Sequence, residues 1–346
     1  MTIPRSTLTD DDLSLPGPFD PEENDDPWFL PPDDLEAEEV SFVVPPRPGP
    51  TSLVNVAAWR AAEAELAVDL ADLAFDAGRL AERLRAAGAG ALQRLALEEA
   101  SALSLWTGDR IGADRLALWI SYRIGAAEAD GDGLIRTAWA ARRLITASPG
   151  SIRTAVEDLL GAEGRGDRLL AAEVEAALHP IASLSTWTRA CAAFHLWRSL
   201  DERPEHLRGL EAADLSARLA GQGGLAFLPL ARTGLSALIP GGPQSRRFAA
   251  WIQGAHRAVL SALMSLERLA AWRARAEAET DDLSGRTPAL LIAALSARPM
   301  LGAVEAEAET GASRAAVQRN LDTLQSRGLV REVTGRGRFR VWAAKL

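Results

Sequence analysis

Between Ser313 and Trp342 the chain changes its hydrophobic period within thirty residues, and that change narrows the fold more than any bulk property does. Val317, Leu321 and Leu324 recur at four and three residues, the spacing of one buried helical stripe. Ser313 stands where its hydroxyl can accept from the free amides of a first helical turn. Gly328 follows Arg327, where a helix end needs a residue that tolerates positive φ. Leu329 to Val333 and Phe339 to Trp342 then read as short strands around Gly335-Arg-Gly337, a glycine-rich turn signal. This pattern predicts a recognition helix followed by a small β-wing, a shape suited to the major groove of DNA.

Charge reinforces that expectation. From Ser313 to Leu346 the bases are Arg314, Arg319, Arg327, Arg331, Arg336, Arg338, Arg340 and Lys345, against only Asp322 and Glu332. The stretch is therefore +6 inside a chain of net −9. Clustered positive charge on an element of groove-reading shape is the footprint of phosphate binding. Arg314, Gln318 and Arg319 are expected at base edges, because arginine pairs bidentately with guanine and glutamine with adenine. Arg336 and Arg338 are expected in the minor groove or on phosphate with Arg340 beside them, and Ser313 with the helix N-terminus on a backbone phosphate.

The acidic total comes from the other end. Residues 1–50 hold thirteen acids against Arg5 and Arg47, so the rest of the chain is +2. An acidic, proline-rich segment of this kind is expected to be a disordered tail, in which Trp28-Phe29-Leu30, apolar amid acid, could dock on the protein or a partner. After Pro45-Pro46-Arg47-Pro48-Gly49-Pro50 the periodicity turns helical, and residues 51–244 read as a helical body. Helices are expected over Val56–Leu84, Leu92–Leu105, from a cap at Asp114 to Tyr122, Leu134–Thr146, 168–178 and 183–200. Gly88-Ala-Gly90, Asp130-Gly-Asp-Gly133, Ser148-Pro-Gly150, Gly161 to Asp167 and Gly221-Gln-Gly-Gly224 read as turns or loops between them.

Ser245 to Ala276 reads as the longest helix. Phe248, Ile252, Ala255, Val259, Ala262, Leu266 and Leu269 form a heptad seam of about three repeats. The seam serves either packing within the chain or a homodimer through 245–276, which would pair two reading heads. Residues 277–286 read as a linker, and 287–346 as the DNA-binding domain, opened by Thr287 at a helix cap and Pro288 at the first helical position. Ala303 to Glu309 is expected to be its second helix.

With these motifs the chain resembles a bacterial helix-turn-helix family whose body is distantly similar to Fic-type proteins, named for adenylyl transfer to hydroxyl groups. Ser104-Leu-Trp-Thr-Gly108, followed by Ile111 and Leu116, sits where Fic proteins with an inhibitory helix have Ser-x-Ile-Glu-Gly. Gly311-Ala-Ser-Arg314, Gly328 to Gly335 and Arg338 match the winged helix appended to many Fic proteins. The resemblance implies a Fic-like bundle, but not its chemistry. Fic catalysis uses His-Pro-Phe-x-x-Gly-Asn-Gly-Arg, and the single His-Pro here, His179-Pro180, runs on into Ile-Ala-Ser-Leu. The inhibitory glutamate position is taken by Thr107.

No catalytic residue, cofactor or metal site is therefore expected. Cys191 and His195 share a helical face but have no second pair of ligands in sequence. One cysteine excludes an internal disulfide framework and fits a reducing cytoplasm. No run reaches the roughly 18–20 apolar residues of a membrane span. The sequence thus predicts a mainly α chain, a helical bundle followed by a C-terminal winged helix-turn-helix domain, that binds double-stranded DNA in transcriptional control. The alternatives are a nucleotidyl transferase and a protein–protein adaptor.

Overall fold

A computed structural model describes residues 54–124, 131–146, 149–161, 168–200, 205–221, 224–335 and 339–346. The acidic segment 1–50, residues 162–167, expected to be a loop, and residues 336–338, expected in the wing, lie outside the described residues. The body comprises α1 (Val56–Glu65), α2 (Ala67–Ala87), α3 (Ala89–Leu103), α4 (Ala113–Tyr122), α5 (Gly131–Leu144), α6 (Ile152–Gly161), α7 (Arg168–Leu178), α8 (Thr186–Leu200), α9 (Glu205–Ala220) and α10 (Gln244–Ala278). The C-terminal module runs α11 (Thr287–Ala297), β1 (Leu301–Gly302), α12 (Ala303–Thr310), α13 (Arg314–Ser326), β2 (Val330–Glu332) and β3 (Val341–Ala344). None of the described helices is long and apolar enough to cross a membrane.

The helix expected over Val56–Leu84 is divided at Leu66, with φ −100° and ψ 19°, although the hydrogen bonds from Leu66 to Ala62 and from Leu70 to Leu66 persist. The bend has no glycine or proline to announce it. It accompanies the seating of Trp59 edge-on against Phe248 of α10, ring centres 6.1 Å apart. Gly88 alone breaks the chain between α2 and α3, at φ 83°, while Gly90 is helical. Gly90 is there for proximity: a Cβ on it would fall 1.9 Å from the Ala297 carbonyl oxygen, so α3 and α11 meet backbone to backbone.

Three local expectations are corrected. Gly131 to Gly133 is the first turn of α5, not a connecting turn; Gly133 is small because the Asp109 side chain lies where its Cβ would project. Gly112 occupies the cap of α4, and Asp114 sits inside the first turn, its carboxylate turned to Arg331. Arg286 caps α11, with Thr287 and Pro288 already helical. Two helices, α6 and α9, and the two-residue strand β1 carry no expectation from the sequence.

All described residues belong to one compact unit. Helix α8 is buried around most of its circumference, from Trp187 through Trp197, as befits a helix enclosed by others. The heptad seam of α10 is used within the chain: Phe248, Ile252, Ala255, Val259 and Ala262 are buried, with α1 and α2 packed against the helix. Leu260 and Met264 are the large apolar side chains of α10 that stay exposed. His256 of α10 bonds Asp76 of α2 at 2.8 Å, and that bond holds the Asp76 carboxyl below its usual range.

The segment between α9 and α10 is fixed by one acid. Glu99, fully buried on α3, accepts from the backbone amides of Leu230 (2.8 Å), Ala231 (2.7 Å) and Arg232 (3.1 Å). Burial pushes its carboxyl from 4.5 up to about 7, against the opposing pull of those three amides.

Candidate nucleic-acid interface

The C-terminal module is built on a three-stranded antiparallel sheet in the order β1-β3-β2. Val330 pairs with Ala344, Glu332 with Trp342, and Leu301 with Trp342 from the other side. β3 starts at Val341, two residues later than the apolar pattern suggests, because Phe339 takes a left-handed backbone (φ 58°) and stays exposed. Val317, Leu321 and Leu324 are buried, so the inner face of α13 packs on α11, α12 and β2. Its opposite face is open, with Arg314, Ala315, Arg319 and Asp322 exposed.

The Ser313 hydroxyl caps α13, accepting from the Ala316 amide at 3.4 Å, a long bond. Arg314 is exposed but paired with Glu307 of α12 at 3.0 Å. Gln318 donates to Asp322 one turn along at 2.8 Å. Arg319 is exposed and has no ion pair or hydrogen bond from its guanidinium among the described residues. Arg336 and Arg338 lie outside the described residues.

Arg340 is placed differently from the expectation of a groove contact. Its guanidinium bonds Glu332 (3.0 Å), Asp322 (3.2 Å) and the Gln325 side-chain oxygen (3.2 Å), and lies over the Trp342 ring at 4.9 Å. It ties the residue before β3 to β2 and α13 rather than offering a free charge. Two further bases in the cationic stretch are engaged outside it. Arg327 grips Asp282 with both terminal nitrogens (2.6 and 2.7 Å), which holds that carboxyl below its usual range. Arg331 reaches both oxygens of Asp114 (2.8 and 2.7 Å).

The +6 counted along the stretch is therefore partly neutralised by acids remote in sequence. Among the described residues, the exposed base on the open face of α13 that has no ion pair is Arg319. A base missed by the sequence reading is Arg286, exposed beside the turn between α12 and α13, its terminal nitrogen 3.8 Å from where a Cβ on Gly311 would lie. Its assignment to a linker hid it; its place immediately before α11 was the available signal.

The module is anchored to the body at several points. Arg94 of α3 donates to the carbonyls of Leu295, Ser296 and Arg298 at the end of α11. The Tyr122 hydroxyl accepts from the Gly302 amide at 2.8 Å; burial, with Glu305 nearby, pushes that phenol up to about 12. The Trp272 indole donates to the Leu329 carbonyl at 2.7 Å. The turn from α10 to α11 is itself packed, with Thr280 buried and bonded to Ala276.

In the body, Ser104 to Gly108 forms a turn in which the buried Ser104 hydroxyl accepts from the Ile111 amide at 2.9 Å and Thr107 donates to the Ser104 carbonyl. His179 and Pro180 open a short 3-10 turn, with His179 exposed. Cys191 is fully buried, and burial pushes its thiol well up. The described residues contain no cluster of three metal-ligating side chains. Compared with known protein families and curated proteins, the chain matches no family model and no curated protein.

Proposed function

We propose that residues 287–346 are a winged helix that binds double-stranded DNA selectively, in a chain that regulates transcription. Arg319 carries the reading. It is an exposed guanidinium without a partner among the described residues, on the open face of a helix whose other face is buried. The order of helices and strands supports the same reading, since the third helix and the hairpin after it are the two parts such a module lays on a duplex. Arg319 and Gln318 read bases; Arg286 and the amides at the start of α13 hold phosphate. Arg314 joins them by leaving Glu307. In this reading the body, which resembles Fic-type proteins, serves as a scaffold without catalysis.

The test is selection of bound fragments from a genomic library by the full chain, followed by fluorescence anisotropy on the selected duplex. Arg319→Ala should weaken that complex by about 1–3 kcal/mol and narrow the gap between selected and random duplexes. Unchanged discrimination would remove Arg319 from base reading. No salt-dependent duplex binding at all would leave the module as a surface for a protein partner.

A further inference from the structure

The outer side of α2 carries two large apolar side chains that nothing covers. Val68 and Phe75, seven residues apart and so on one stripe, are 74% and 70% exposed. Beside that stripe an apolar groove of about 680 Å³ runs between α2 and the residues that open α8. Ala71, Ala74 and Gly78 form its near wall, Leu184 and Trp187 its far one. A Cβ on Gly78 would meet nothing within 4 Å, so the groove is open at that point. The charges of the exposed face are sorted along the helix. Asp69 and Asp72 lie toward its start and Arg79 and Arg83 toward its end, all four exposed. At the helical period they fall on the flank of Phe75 away from the groove. Arg79 lies over the Phe75 ring, 5.9 Å from its centre, and pairs with Asp76 at 2.7 Å. Asp69, Asp72 and Arg83 have no ion pair among the described residues.

A face that is acidic at one end, basic at the other and apolar between them complements itself when a second copy runs antiparallel. A two-fold axis beside Phe75 sets Asp72 against Arg79 of the second copy and Asp69 against its Arg83, and each pair then occurs twice. A parallel arrangement would set acid on acid and base on base. The antiparallel one also opposes the two helix dipoles. The same axis lowers each Phe75 ring toward Ala74 and Gly78 of the other copy, where the small side chains leave room for it. We propose that α2 is the contact of a homodimer, in which α2 of a second copy lies antiparallel across this face and the Phe75 rings enter the two grooves. A 21-residue helix is about 30 Å long, so the contact is at the small end of stable interfaces and dissociation in the micromolar range is expected. The surface is separate from the DNA reading and does not depend on it. It also differs from the α10 seam, which is taken up inside the chain.

The full-length protein should be followed by sedimentation equilibrium from low micromolar to several hundred micromolar concentration, where a monomer–dimer equilibrium is expected. Phe75→Ala should weaken the dimer at least about tenfold, as loss of a central aromatic anchor does. Gly78→Leu should weaken it as much while leaving thermal unfolding of the monomer no lower, because the added side chain enters open space in the free chain. Arg83→Asp should weaken it severalfold, and adding Asp69→Arg should restore association toward that of the parent. All four variants change exposed positions and are to be checked for unchanged circular dichroism. A parent protein that stays monomeric at every concentration overturns the proposal and leaves the groove to a different partner. So does an assembly larger than a dimer, or a dimer whose dissociation constant is the same in Phe75→Ala and Gly78→Leu. A doubly exchanged Asp69→Arg/Arg83→Asp protein that associates no more tightly than Arg83→Asp alone overturns it as well.

Discussion

Glutamine at position 99 is a permanent copy of protonated glutamate, with the same size, one acceptor oxygen and one donor. In the structure Oε1 serves both Leu230 and Ala231, and Oε2 serves Arg232. Glu99→Gln therefore keeps two of the three bonds and turns a donor toward the third amide, as the protonated acid does. Burial raises the folded carboxyl from 4.5 to about 7. Between those values the folded chain holds a proton that the unfolded chain releases, so stability is fullest below pH 4.5 and is lost as the pH rises toward about 7. At about 1.4 kcal/mol for each pH unit, the interval is worth about 3 kcal/mol. Every other titrating group is common to parent and variant, and the difference between them isolates Glu99. Urea unfolding followed by circular dichroism should find the two within about 1 kcal/mol at low pH. Above pH 7 the variant should be ahead by about 2 kcal/mol. If the parent instead gains on the variant as the pH rises, the three amides outweigh desolvation, and the carboxylate is ionised in the fold at low pH.

Two further substitutions probe the seat of the C-terminal module. Gly90→Ala should cost at least about 2 kcal/mol, because the added methyl meets backbone atoms of Ala297 that cannot rotate away; an unchanged urea midpoint would refute the close approach of α3 and α11. Trp272→Phe removes the indole donor to Leu329, whose carbonyl keeps a second bond from the Lys345 amide. The loss should stay near about 2 kcal/mol in thermal unfolding, and a cost below about 0.5 kcal/mol would show that the indole bond contributes little.

The parts legible in the sequence are those decided within a few residues. Val317, Leu321 and Leu324 mark the buried face of α13, Ser313 its cap, and Gly328, at φ 71°, its end. Phe248 to Ala262 mark the inner face of α10 in the same way. What local reading misses depends on remote partners. Two residues at Leu301 become a strand only because Val341 and Trp342 lie alongside. Gly133 looks like a turn glycine until Asp109 is seen against α5. The charge of the C-terminal stretch is overcounted for the same reason, since Asp114 and Asp282, which answer Arg331 and Arg327, lie outside it.

The anchoring of α11 on α3 makes the last sixty residues non-exchangeable. Cutting before Thr287 would strand the Arg94 guanidinium without its three carbonyls, strip Tyr122 of its amide, and open the flank of Trp272 to water. The detached piece would expose the backbone of Ala297 and the apolar side of its small sheet. Neither fragment is a sound object for experiment, and transplanting the module onto another protein would require grafting those body residues with it.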